Sequence, residues 1–109
     1  MGFRDALAEV PYPLAQESAH YLGVAARRMC EAVDALRAYD ASGQPRDAEA
    51  RRRLVDVAAQ RAWFYVLQRE SMDFPGTDDA LDHHGVPAEV RDRMGRLRWT
   101  PRPEPADEY

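Results

Sequence analysis

The most apolar and most aromatic run in this sequence is Ala62-Trp63-Phe64-Tyr65-Val66-Leu67-Gln68-Arg69-Glu70. Alanine, leucine, arginine and glutamine dominate this run and residues 51–61 before it, and all four are good helix formers. Neither segment alternates between apolar and polar residues, as a half-buried strand would. Together they predict one long helix over about residues 48–72, with the aromatic run in its C-terminal half.

Most apolar residues of this helix fall on one continuous arc when they are spaced at about 100° per residue. The arc consists of Leu54, Val55, Ala58, Ala59, Ala62, Tyr65 and Val66. Trp63, Phe64 and Leu67 lie outside the arc, so this half of the helix is apolar nearly all round. A surface helix normally has one apolar face, and something must therefore cover the second one.

A second long helix is predicted over residues 14–39, before the aromatic run. Leu22, Met29 and Leu36 recur at every seventh position on its apolar face, as in packed helical bundles. Tyr21 falls on the same apolar half of the helical wheel. The segment 40–47 contains a glycine and a proline, which favour the end of one helix and the start of the next. Two helices of similar length joined by a short loop are expected to lie antiparallel.

Two short helices are predicted after the long pair. The first covers about residues 78–84 and is stopped by Gly85, and the second follows from Val86-Pro87. The predicted fold class is all-α: a long antiparallel two-helix hairpin with two short C-terminal helices, which forms a helical bundle on dimerisation. We expect an N-terminal arm over residues 1–12 and a single helical domain over 13–97.

The last segment of the sequence, residues 98–109, has a different composition. Pro101, Pro103 and Pro105 stand at every second position, which precludes a helix. The segment has no periodic apolar residues, so we expect a disordered, proline-rich tail.

Composition narrows the possible functions. The 109 residues carry a formal net charge of −4, which argues against a general polyanion binder. All 15 basic residues are arginine, a bias that a GC-rich genome would produce. Cys30 is the only cysteine, so no internal disulfide can form and a reducing compartment fits. No signal-peptide pattern and no apolar run of about 20 residues occurs, so we expect a cytoplasmic protein without a membrane span.

Several short motifs occur in a characteristic order between residues 14 and 95. They are Gln16-Glu17, Tyr21-Leu22-Gly23, Ala26-Arg27-Arg28, Gln68-Arg69-Glu70, His84-Gly85-Val86-Pro87-Ala88-Glu89-Val90 and Met94-Gly95. This pattern resembles a family of short, uncharacterised bacterial helical proteins, a domain of unknown function. The resemblance implies a bacterial source and an all-helical fold, and it implies no activity. The N-terminal dozen residues and the proline-rich tail are expected to lie outside the family pattern.

The polar residues form no convincing catalytic or metal-binding pattern. Glu17 and His20 have the E-x-x-H spacing of di-iron bundles, but they lie on the polar side of their helix and lack a second such pair. His83 and His84 are adjacent, so on a helix they point in different directions. Cys30 has no Cys–His sequence context, and no glycine-rich phosphate loop is present. We therefore predict no enzyme activity, no cofactor and no metal site.

A DNA-binding regulator is the main alternative, because the short helices on either side of residues 85–87 could form a helix-turn-helix. Residues 86–102 carry a local excess of arginine, which phosphate contacts require. Asp78, Asp79 and Asp82 crowd the partner helix and would repel the DNA backbone. Nucleic-acid binding is therefore not expected, and a metal-dependent enzyme is a more remote alternative.

The favoured hypothesis is a non-catalytic interaction or scaffold protein that forms a homodimer. The predicted dimer interface comprises Trp63, Phe64 and Leu67, which lie outside the core arc of their helix. A structural ion pair is predicted between Glu17 and Arg69, because Arg69 lies inside that arc and an antiparallel hairpin places the two side by side. A further, unknown protein partner is compatible with this hypothesis.

Overall fold

The computed structural model describes residues 12–43 and 45–99 of the chain, with side chains described for residues 16–43 and 45–97. Within these ranges the protein consists of helices joined by short connections, and no strand occurs. The helices are α1 (Tyr12–Ala41), α2 (Ala48–Ser71), α3 (Thr77–His83) and α4 (Ala88–Trp99). The all-α prediction, with two long helices followed by two short ones, is confirmed.

The predicted terminal regions fall almost entirely outside the described residues. The N-terminal arm, residues 1–12, overlaps them only at Tyr12, where α1 begins. The predicted tail, residues 98–109, overlaps them at Arg98 and Trp99, which belong to the last turn of α4. The helix thus continues past the predicted boundary, and the rest of the tail lies outside the described residues.

The long helices α1 and α2 pack against each other in opposite directions. Asp47 caps the start of α2, since its carboxylate accepts hydrogen bonds from the backbone N–H groups of Glu49 and Ala50 at 3.0 and 3.1 Å. The hydroxyl of Tyr39, near the end of α1, accepts a hydrogen bond of 2.8 Å from the N–H of Asp47. The connection is therefore fixed at both of its ends.

The core lies between α1 and α2, and α3 and α4 contribute buried side chains to the same cluster. Its buried side chains are Met29, Val33, Leu36, Val55, Ala58, Ala59, Ala62, Tyr65, Val66, Leu81, Val86, Val90 and Met94. The predicted arc of α2 is confirmed, because every member is buried except Leu54, which is partly buried against the same core. Ala58, Ala59 and Ala62 are completely buried, and such small side chains allow neighbouring helices to approach closely.

Arg51 connects three of the helices near the α1–α2 connection. Its Nε atom lies 2.8 Å from Oδ1 of Asp40 in α1, and its Nη1 atom lies 2.8 Å from Oε2 of Glu89 in α4. Arg93 of α4 binds Asp56 of α2 at 2.7 Å, farther along both helices. Residue numbers rise together in these contacts, so α4 runs parallel to α2 and covers one side of it.

Candidate functional site

The side of the hairpin away from α4 contains an open groove of about 550 Å³. Its lining residues come from the two long helices and are Tyr21, Val24, Ala25, Arg28, Arg61, Phe64, Leu67, Gln68 and Ser71. Tyr21, Val24 and Arg28 are spaced by three and four residues, and so are Arg61, Phe64 and Gln68. These spacings place each set on one face of its helix, and the groove therefore runs along the seam between α1 and α2.

Most of the large apolar side chains that are exposed in the described residues line this groove. Tyr21 is 58% exposed, Phe64 56% and Leu67 39%. Val57, which is 43% exposed, lies four residues before Arg61 and thus extends the same face of α2. Among the described residues, these four are the large hydrophobic side chains classed as exposed. Because they lie on one side of the hairpin, these residues form an apolar patch rather than isolated exposed positions.

The charges of the groove are unevenly distributed along its length. Arg28 and Arg61 lie on opposite helices at the end nearer the α1–α2 connection. Neither guanidinium forms an ion pair with another described residue. Glu17 is exposed and lies four residues before Tyr21, so it extends the groove-facing side of α1 at the opposite end. The groove thus has a basic end, an apolar middle and an acidic end.

The structure separates the three residues predicted to form a dimer interface. Phe64 and Leu67 are exposed and line the groove. Trp63 is half-buried, packs against the core and does not line the groove. Tyr21 takes its place in the open patch, although sequence analysis would place it on the core face of α1. It lies at the edge of that face, where the angular position alone does not decide exposure.

Arg69 has partners other than the predicted Glu17. Its Nη2 atom donates a hydrogen bond of 2.6 Å to the carbonyl oxygen of Pro75, and its guanidinium lies 5.9 Å from the ring centre of Tyr65 and 5.7 Å from that of Phe74. The ion pairs of the described residues do not include one between Arg69 and Glu17. The loop after α2 folds back over Arg69, and the carbonyl oxygen of Pro75 is the acceptor in place of the predicted Glu17 carboxylate.

Cys30 and His84 meet in the structure, a contact that sequence analysis missed. The Sγ atom of Cys30 lies 3.5 Å from Nδ1 of His84, and the His84 ring packs edge-on against Tyr65 with a centroid distance of 5.4 Å. Burial raises the pKa of the Cys30 thiol and lowers the pKa of the His84 imidazole. Both groups are therefore held neutral, the opposite of the thiolate and imidazolium that nucleophilic catalysis uses.

The other polar residues singled out from the sequence do not converge. Glu17 and His20 are both exposed, and His20 instead contacts the ring of Tyr21 edge-on. In the described part of the chain, no cluster of three or more His, Cys, Asp or Glu residues could hold a metal ion.

Two arginines of the possible helix-turn-helix, Arg91 and Arg93, form ion pairs within the protein. Arg91 lies 2.7 Å from Asp82 of α3 and also donates to the carbonyl of Val86, while Arg93 binds Asp56 of α2. Phosphate binding would require these guanidinium groups to leave their carboxylates. Of the described helices, none has the length and apolar character needed to cross a bilayer.

The fold and the groove define a small all-helical protein with one covered and one open apolar face. The chain belongs to a family of unknown function (DUF6665), whose profile matches residues 4–102. The match includes residues 4–12 of the N-terminal arm and 98–102 of the predicted tail, so the expectation that these segments lie outside the family is wrong. Residues 103–109 of the tail do lie outside the matched range. No curated protein and no solved structure matches the chain.

Proposed function

We propose that this protein is a non-catalytic interaction module that forms a homodimer through the groove face of α1 and α2. The observation that carries the proposal is the grouping of Tyr21, Phe64, Leu67 and Val57 on one open side of the hairpin. Soluble monomers rarely expose a large contiguous apolar patch, and such patches mark interaction sites. The family resemblance and the single cysteine support a bacterial, cytoplasmic setting.

A second copy of the hairpin can cover this patch in a simple way. Two hairpins that pack groove to groove form a four-helix bundle, and twofold symmetry is the commonest arrangement for such pairs. Each aromatic side chain buries roughly 150–250 Å² when it is covered, so Tyr21 and Phe64 would contribute most of the interface. Trp63 is half-buried against the core and does not line the groove, so the proposed interface contains Phe64 and Leu67 without it.

The test is to introduce one charge into the groove and one matched charge elsewhere. Phe64→Glu should give a monomer, because a carboxylate would be buried without a partner at the centre of the interface. Ala88→Glu is the control, since Ala88 is exposed in the first turn of α4, where a carboxylate is favourable. Light scattering should show a dimer for the control only. Identical masses for the two variants would contradict the proposed interface.

A DNA-binding regulator remains the alternative proposal, and binding to random duplex DNA tests it separately. The internal ion pairs of Arg91 and Arg93 favour the interaction module over this alternative. A regulator would bind DNA with an affinity that falls steeply as salt rises. We expect no retention on DNA at physiological salt, and strong salt-dependent retention would reverse the preference.

A further inference from the structure

The charges along the groove can determine how a second copy would dock. Glu17, Tyr21, Val24 and Arg28 are spaced by four, three and four residues, so they form one stripe along the exposed side of α1. The stripe starts with a carboxylate and ends with a guanidinium about 16 Å farther along the helix. Arg61 of α2 lies across the groove and adds a second guanidinium to the basic end.

A stripe of this kind is complementary to itself when it is reversed. We infer that two copies dock antiparallel, groove to groove, with Glu17 of each copy against Arg28 and Arg61 of the other. This inference rests on the proposed function, because it specifies the geometry of that dimer. A twofold axis at the middle of the stripe, beside Leu22 and Gly23, exchanges the acidic and basic ends of the two grooves.

The same axis brings the apolar middles of the grooves together. Tyr21 and Val24 flank the axis on α1, and Phe64 and Leu67 of α2 line the same central part of the groove. The exposed aromatic side chains of one copy therefore face the apolar residues that line the middle of the other copy's groove. The apolar contact supplies most of the affinity, while the charges at the two ends select the direction.

The opposite docking direction is unfavourable for a physical reason. Parallel stripes would place Arg28 and Arg61 of one copy against the same two residues of the other. Four positive charges would then lie close together. Like charges brought together across an interface suppress that arrangement. Glu17 is available for the antiparallel contact, since it is exposed and forms no ion pair with Arg69, whose Nη2 atom donates instead to the carbonyl oxygen of Pro75.

Charge reversal tests this geometry with two variant chains. The first variant carries Glu17→Arg, and the second carries Arg28→Glu and Arg61→Glu. Each variant alone would oppose like charges at both symmetric contacts, so its homodimer Kd should rise about tenfold or more. Mixed together, the two variants have fully complementary ends. A heterodimer should then form with a Kd within about threefold of the unmodified homodimer.

Native mass spectrometry can count the species, because the two variants differ in mass. Circular dichroism of each variant checks that it is folded, and Arg28→Glu alone replaces the double variant if the half-buried Arg61 proves necessary for folding. A chain that carries all three reversals is again complementary to itself when antiparallel, whereas parallel docking would still oppose like charges in it. Weakened homodimers of the two variants, together with a triple variant that dimerises as well as the unmodified protein, support the antiparallel geometry. A dimeric unmodified protein whose variants do not prefer each other overturns this geometry and leaves the proposed dimer intact. A monomeric unmodified protein overturns both.

Discussion

The two sides of α2 show what a covered apolar face and an open one look like in the same molecule. Toward α3 and α4, the apolar residues are buried, and Arg51, Arg91 and Arg93 all bind carboxylates. Toward the groove, Phe64 and Leu67 are exposed, and the arginines at the basic end form no described ion pair. On the covered side, apolar packing and ion pairs together complete an interface between helices. The groove offers the same two kinds of side chain, apolar and charged, but none of the described helices covers them.

The largest expected effect comes from making the same substitution on the two sides. Leu81 is 2% exposed on the covered side, and Leu67 is 39% exposed in the groove. Leu81→Ala should lower the free energy of unfolding by roughly 2–5 kcal/mol, because it leaves a cavity in the core. Leu67→Ala should cost less than about 1 kcal/mol at protein concentrations low enough to dissociate a dimer.

Urea denaturation of both variants under the same dilute conditions makes this comparison. The unmodified protein serves as the reference, and unchanged m-values would show that the transitions are comparable. Equal losses for Leu81→Ala and Leu67→Ala would mean that the groove side is packed within a single chain. The distinction between a covered and an open side would then be wrong.

A smaller effect is expected from the arginine network on the covered side. Hydrogen bonds from Arg51 lower the pKa of the Asp40 carboxyl and of the Glu89 carboxyl below their ordinary values of 3.8 and 4.5. Both carboxylates bind protons less readily in the folded state than in the unfolded state. Their contribution to stability is therefore present above those ordinary values and is lost as pH falls through the lower, folded values.

Arg51→Gln should lower the melting temperature and flatten its acid dependence below about pH 4.5. Arg52→Gln is the matched control from the same helix, since Arg52 is exposed and forms no ion pair with another described residue. Thermal unfolding at neutral and acidic pH measures both variants. The same flattening in both variants would show that Arg51 has no special role.

Comparison of sequence and structure shows which features are readable from a helical pattern. The core arc of α2 follows from periodicity alone, since each apolar residue has a defined angle on the helix. The partner of Arg69 does not, because the helical pattern shows that the side chain faces inward and contains no information on how the loop near Pro75 folds back. The exposure of Tyr21 could not be predicted for a related reason. Tyr21 lies at the edge of the apolar face of α1, where the residues that surround it in the folded protein decide whether it is exposed.

The Cys30–His84 contact could not be predicted from the sequence. The two residues are 54 positions apart, and their meeting depends on how α3 and the turn at Gly85 dock on α1. Gly85 has φ of 68°, and Arg37 of α1 donates a hydrogen bond to its carbonyl oxygen. Only a residue that tolerates this left-handed conformation allows the turn to approach α1 so closely. The sequence shows the glycine but not the helix to which the turn binds.

The smallest expected effect is a weak pH dependence that originates at His84. Burial lowers its pKa below the ordinary value of 6.5, so the unfolded state binds a proton more readily than the folded state. Stability should therefore decline as pH falls below about 6.5, until the folded pKa is reached. Groups facing His84 include Cys30, Tyr65, Arg69 and His83.

His84→Gln should reduce this decline between about pH 5 and 7. His20→Gln is the control, because His20 is exposed and contacts Tyr21 beside the groove rather than the core. Chemical denaturation across this pH range should separate the two variants. An unchanged slope for His84→Gln would assign the pH dependence to other groups.

The most direct measurement of the open face is the mass of the unmodified protein in solution. The chain has a mass of 12.4 kDa, and sedimentation equilibrium over a wide concentration range reports whether it pairs. We predict a reversible shift toward twice that mass as concentration rises, as expected when a second copy covers the groove. A single species that remains at the monomer mass up to the highest concentration would contradict the proposed dimer.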